Sequence, residues 1–169
     1  MLIVLGGRPA TGKTTIARLL SGRLRATHLR LDTIEQALRS SGTLRADVGA
    51  AGYLVAYALA EDMLRLGQVV IADSVNPVEA TRAAWRAVAA RAGVQIMEVE
   101  LIRSDPTDHR HHLETRQPDI AGLTLPSWDD VVARTYEAWD RPMLSSTPRD
   151  ERWSRASPKS SLRCSGIKE

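Results

Sequence analysis

The chain reads as an α/β fold, a mainly parallel sheet of about five strands with helices packed on it. Three observations predict this. Short apolar runs alternate with stretches of helical spacing from the N-terminus to about residue 144. A glycine-rich turn joins the first run directly to the first helix. Two acids, Asp32 and Asp73, close the second and third runs, at the strand ends where parallel sheets hold their ligands.

Each element follows from local pattern. Residues 2–5 are a buried strand, β-branched at Ile3 and Val4 and stopped by Gly6-Gly7. Residues 13–25 place Ile16, Leu19, Leu20 and Leu24 at helical spacing. His28 to Leu31 is a second short strand ending at Asp32, and Thr33 to Arg39 is a helix stopped near Ser41-Gly42. A longer apolar helix is expected from Asp47 to Leu66, with Gly67 as its C-cap. Gln68 to Ala72 is a strand followed at once by Asp73. Pro77 opens the next helix, which runs to Ala92 and closes at Gly93. Val94 to Ile102 is a further strand. Residues 105–116 are helical and very polar, and 118–126 form a loop. Ser127-Trp128-Asp129-Asp130 caps a helix expected to reach Trp139.

The expected domain is 1–144. Residues 145–169 hold seven Ser and little apolar periodicity, and read as an irregular, loosely ordered basic tail. Met143-Leu144 can begin a last strand. The tail carries six basic and three acidic residues, which leaves 17 of each in 1–144. The body is therefore neutral, and its net charge does not indicate a broad nucleic-acid-binding face. A length of 169 suits one domain with a real core. No run approaches the 18 apolar residues of a membrane span. The first run is also too short and lacks the basic flank of a signal peptide, so a cytoplasmic protein without membrane contact is expected. The one cysteine, Cys164, excludes a disulfide framework within the chain.

Gly7-Arg8-Pro9-Ala10-Thr11-Gly12-Lys13-Thr14 fits G-x-x-x-x-G-K-[ST], with a strand before it and a helix after it. Glycines at both positions let the loop turn its N–H groups inward around a phosphate. The helix N-terminus adds the positive end of its dipole. Twenty of the 23 basic residues are Arg, and Lys13 is the only Lys before position 159. That lone Lys marks a site wanting a compact ammonium, here for the β- and γ-phosphates. The expected nucleotide-binding set is Gly7, Arg8, Pro9, Ala10, Thr11, Gly12, Lys13, Thr14 and Thr15, with no separate role assigned to the Arg8 side chain. Thr14 and Asp73 are the expected magnesium ligands. Asp32 faces the γ-phosphate from the acceptor side, where it can take a hydroxyl proton.

The loop, Asp32, Asp73-Ser74-Val75-Asn76 and an Arg-bearing segment together resemble the small P-loop kinases of the AAA-type, zeta-toxin-like group. Relatives in that group include chloramphenicol phosphotransferase, gluconate and shikimate kinases, and bacteriophage polynucleotide kinase. The resemblance covers about residues 1–144 and implies a three-layer P-loop NTPase fold of nucleoside-kinase type. It implies ATP and Mg²⁺ as cofactors and a phosphoryl transfer from ATP to a hydroxyl. Asp32 is then the general base and Asp73 the magnesium acid. Lys13 is catalytic, and a lid at about 105–126 supplies arginines, for which Arg110 and Arg116 are favoured over Arg103. A small molecule is the favoured acceptor. A nucleoside or polynucleotide 5′-hydroxyl is the alternative, disfavoured because Glu35 stands three residues after Asp32, where the polynucleotide branch has Arg. A non-catalytic ATP-binding regulatory module is the third reading. The tail departs from the group, which usually completes the sheet and contacts the base in that stretch.

Other features carry less. His109, His111 and His112 read as solvated or phosphate-adjacent rather than metal-binding. Tyr53 and Tyr57 lie one turn apart, facing core or acceptor. Trp85, Trp128 and Trp139 read as packing residues on amphipathic helices. There is no Asn-Lys-x-Asp guanine motif and no Leu-Ser-Gly-Gly-Gln signature, and the chain is too short for a hexameric motor.

Overall fold

At the centre of the sheet lies β1 (Leu2–Gly6), buried at all five positions. In this computed structural model, residues 1–43 and 47–139 are described, together with the backbone of 144–146. The order is β1, α1 (Lys13–Leu24), β2 (Thr27–Arg30), α2 (Leu31–Ser40), α3 (Ala51–Arg65), β3 (Val70–Asp73), α4 (Glu79–Arg91), β4 (Ile96–Leu101), α5 (Pro106–Thr115), α6 (Trp128–Ala133) and β5 (Leu144–Ser146). The five strands run in the spatial order β2-β3-β1-β4-β5, and every neighbouring pair is parallel.

The pleat sends alternate residues of β1 to opposite faces. Leu2 and Val4, with Val70 and Ala72 of β3, meet Ala56, Ala60 and Leu64 of α3 and Trp85 and Val88 of α4. Ile3 and Leu5, with Ile71, meet Ala17 of α1 and Leu101. A third cluster joins Ala10 of the glycine-rich turn to Leu113 of α5 and Val131 of α6. Among the described residues no helix is long and apolar enough to cross a membrane.

Several boundaries differ from the pattern reading. Asp32 does not end a strand. The β2 ladder stops at Arg30, and Asp32 lies in the first turn of α2. The long helix begins at Ala51 rather than Asp47. The third strand spans Val70–Asp73, so Asp73 is its last residue. The last helix ends at Ala133, not Trp139. Tertiary contacts take over there: the Glu137 N–H donates to the Pro77 carbonyl, 2.8 Å, and the Trp139 indole packs onto Gly6. Two residues assigned to the tail, Ser145 and Ser146, pair with β4. The rest of the expected tail lies outside the described residues.

Candidate active site

The turn between β1 and α1 is built by its backbone. Gly7 has φ 131°, and a Cβ there would stand 2.3 Å from the Leu101 carbonyl oxygen, so only glycine fits. Gly12, the residue before α1, has φ 95° and no neighbour within 4 Å of where a Cβ would lie. Its space is left to whatever the loop encloses. Ala10 is also left-handed, at φ 63°. The Gly7 N–H donates to the Val75 carbonyl, 3.1 Å, tying the turn to the end of β3.

Lys13 folds back under this turn. Its Nζ donates to the carbonyls of Gly7 and Arg8, each at 2.8 Å, and the residue is 8% exposed. Burial pulls the ammonium down to about 8, against the opposing pull of Asp73 and Asp32. An anion entering the turn meets a cation that water barely reaches.

Asp73 is buried at the end of β3. The His28 Nε2–H donates to its carboxylate, 3.1 Å. Burial alone would raise Asp73, but the His28 hydrogen bond, the Lys13 ammonium and the Thr14 hydroxyl outweigh it and hold the carboxyl below its ordinary range. A hydroxyl and an ionised carboxylate thus stand together beside the phosphate turn. These are hard oxygen donors of the kind magnesium takes.

Asp32 has a side chain 45% exposed, with Arg30 Nη2 at 3.6 Å from Oδ2. It lies within electrostatic reach of Lys13 and of Glu35. Glu35 pairs with Arg39 at 3.3 Å, and its own burial pushes its carboxyl up. Tyr53 of α3 accepts the Asn76 N–H at 3.1 Å, and burial pushes its hydroxyl up to about 12.

The lid arginines divide. Arg116, just past α5, acts electrostatically on Lys13 and opposes its charge. Arg110 does not come to the site. Its Nε donates to Glu114 one turn on, 2.7 Å, on the exposed face of α5. Arg103 pairs with Asp108. Pattern reading missed Arg134, which follows α6 and also acts on Lys13. The Arg8 side chain turns away from the turn's interior, donating to the Val131 carbonyl and lying 5.1 Å over the Tyr136 ring. Any part of residue 8 in binding a phosphate is thus left to its backbone.

His109, expected to be solvated or phosphate-adjacent, is buried against the glycine-rich turn. It is 5% exposed, its Nε2–H donates to the Pro9 carbonyl at 2.7 Å, and its ring meets Trp128 edge-on at 5.3 Å. Helix α5 is therefore fastened to the glycine-rich turn. Asn76, the last residue of the Asp73-Ser74-Val75-Asn76 run, is fully buried at φ 50°. Its Nδ2 donates to the Leu5 carbonyl, 3.0 Å, and its Oδ1 accepts from Trp85 Nε1, 3.0 Å. Among the described residues no cluster of three or more His, Cys, Asp or Glu side chains is placed to hold a metal ion.

Residues 2–137 match a family model described as AAA domain. No curated protein matches the sequence. Among solved structures, the APS kinase CysC of Mycobacterium tuberculosis, in complex with AMPPNP and APS, superposes with a TM-score of 0.66 at 22% identity, over 88% of each chain. Kti12 of Chaetomium thermophilum, in complex with ADP-AlF3, gives 0.59 at 23% identity, over 87% of this chain and 89% of that one. A gluconokinase from Sinorhizobium meliloti gives 0.57 at 15% identity, over 85% and 79%. At these identities the likeness is one of fold.

Proposed function

The chain belongs to the AAA domain family, and from that premise we propose that it is an ATP- and magnesium-dependent kinase that phosphorylates a hydroxyl of a small molecule. The observation that carries the reading is Lys13. A buried ammonium held by two carbonyls beneath a turn of left-handed residues is a site made for a polyphosphate. Thr14 and Asp73 would hold magnesium, which when bound would supply positive charge against the phosphates.

In this reading the triphosphate lies in the turn from Gly7 to Thr15, over the N-terminus of α1. The acceptor enters on the side of α2 and α3. Asp32 accepts the proton of its hydroxyl as the oxygen attacks the γ-phosphorus. The bond to the β–γ bridging oxygen breaks, and ADP leaves with that electron pair. Arg116 and Arg134 set positive charge near the transferring group, where an arginine fork suits phosphate oxygens. Arg110, paired on its own helix, takes no part. The fold likeness to an APS kinase and a gluconokinase supports a small acceptor. The Glu35 carboxyl beside Asp32 disfavours the phosphates of a polynucleotide.

The test is calorimetric titration with Mg·ATP, followed by ADP release across a panel of small hydroxyl compounds and one oligonucleotide with a free 5′-hydroxyl. Binding that disappears in Lys13→Ala, with transfer to a small molecule, is the expected result. Transfer to the oligonucleotide alone replaces the acceptor reading. Binding without transfer to any acceptor leaves a nucleotide-binding regulatory module.

A further inference from the structure

The segment 117–126 returns the chain from α5 to α6, and one of its residues, Asp119, meets the buried Arg30 from the surface. Asp119 accepts from both terminal nitrogens of Arg30, at 2.8 and 2.9 Å, a two-pronged pairing of carboxylate and guanidinium. Arg18 of α1 donates to the same carboxylate from the surface. The Arg30 hydrogen bonds come first in holding the Asp119 carboxyl far below its usual range.

Arg30 is the last residue of β2, opposite Asp73 in register, and 8% exposed. Its Nε is buried without a partner. Nη2, already donating to Asp119, lies 3.6 Å from the Asp32 carboxylate. This guanidinium therefore stands between two acids. One belongs to the returning segment and holds both prongs. The other is the candidate base and has only a loose ion pair. A guanidinium does not shed its proton, and a buried one deprived of its partner is costly. When Asp119 leaves, the nearest carboxylate able to take the prongs is that of Asp32.

We propose that Asp119 and Arg30 are positioning residues through which the docking of segment 117–126 makes Asp32 available as a base. With the segment docked, Asp119 holds both terminal nitrogens of Arg30, and Asp32 keeps its lone pairs for the acceptor. With the segment lifted, Arg30 takes Asp32 into a two-pronged pair, and the base is withheld. The device ties base strength to closure, so that an open site wastes less ATP on water. It rests on the reading of Asp32 as the base. The charged groups facing Asp32 are Arg30 from β2, Lys13 from α1 and Glu35 from its own helix.

The experiment is carbon-13 carboxyl titration of Asp32 by NMR in the full chain, which needs no acceptor. In Asp119→Asn the Asp32 midpoint is expected to fall by about one pH unit, as Arg30 turns to it. In Asp119→Glu, which keeps the charge, it returns toward the wild-type value. Mg·ATP affinity, measured alongside, stays within about twofold of wild type, since no phosphate contact is touched. A midpoint that moves less than about 0.3 units in Asp119→Asn, the size of simple through-space loss of one screened charge, overturns the proposal and leaves a structural tether. Failure of the base assignment shows elsewhere, as full turnover in an Asp32 variant, and does not depend on the Asp119 result.

Discussion

The phosphate turn and the acceptor side face each other across the same strand ends, yet they are built from different material. The turn is main chain. Its carbonyls hold Lys13, its left-handed residues set the curve, and its outer surface is packed against α5 and α6 through His109, Leu113 and Val131. The acceptor side is side chain. Asp32 is half in water, Glu35 leans on Arg39, and Arg30 reaches across to Asp119. A site made of backbone amides tolerates little change in residue type. One made of paired charges can be rewritten a residue at a time without loss of the fold.

Five substitutions probe that contrast, the largest effect first. Asp32→Asn removes the proposed base alone. Phosphoryl transfer is expected to fall by about 10²–10⁴-fold, with Mg·ATP affinity held within about twofold. Equal losses in both measurements would show that the two sides are not separable.

Lys13→Met does the reverse. Nucleotide affinity is expected to fall about a hundredfold, the worth of charged hydrogen bonds to phosphate. The same change carries a stability signature. Lys13 titrates near 8 in the folded chain against about 10.4 unfolded. Between those values the unfolded state binds one more proton than the native one, so wild-type stability rises with pH. Below about 8 the full penalty applies. Relative to Lys13→Met, the wild type should therefore gain about 3 kcal/mol as the pH is raised from 8 to 10.5. Denaturant titrations of both proteins at the two ends of that window measure it.

Asn76→Ala strikes the joint between the two sides. It orphans the Leu5 carbonyl and the Trp85 indole N–H and leaves a Cβ at φ 50°. A loss of about 3 kcal/mol in unfolding free energy is expected. The smallest effect separates the lid arginines. Arg116→Gln should slow transfer about tenfold, the scale of one partly screened charge at the transferring group. Arg110→Gln should leave transfer unchanged, because its partner Glu114 is on the same exposed helix face. If Arg110→Gln slows transfer as much as Arg116→Gln, the helix turns on closing.

What could be read from residues alone tracks the same divide. Gly7, Gly12 and Lys13 were legible because backbone torsion and a compact cation admit few residue types, and their spacing is local. The acid of β3 was legible because it follows an apolar run directly. The Arg30–Asp119 pair is 89 positions apart and His109–Pro9 is 100 apart. No periodicity records such partners. The overlong last helix is a case of tertiary contacts beating local propensity. Tyr136 is drawn to Glu100 at 2.8 Å and Glu137 to the Pro77 carbonyl, and a helix could satisfy neither. Arg110 and Arg116 looked equivalent in sequence. An acid at the i+4 position of one of them, Glu114, was the signal that set them apart.

The phosphate turn is suspended from β1, the one strand with β3 on one side, β4 on the other and apolar packing on both faces. Strands enclosed in this way are the last to come apart, whereas peripheral helices and loops open at a small fraction of the global free energy. A partly unravelled molecule that has let go of α2 and the 117–126 segment would still cradle a triphosphate. ATP should therefore shield this chain from proteases even in states where it can no longer turn over.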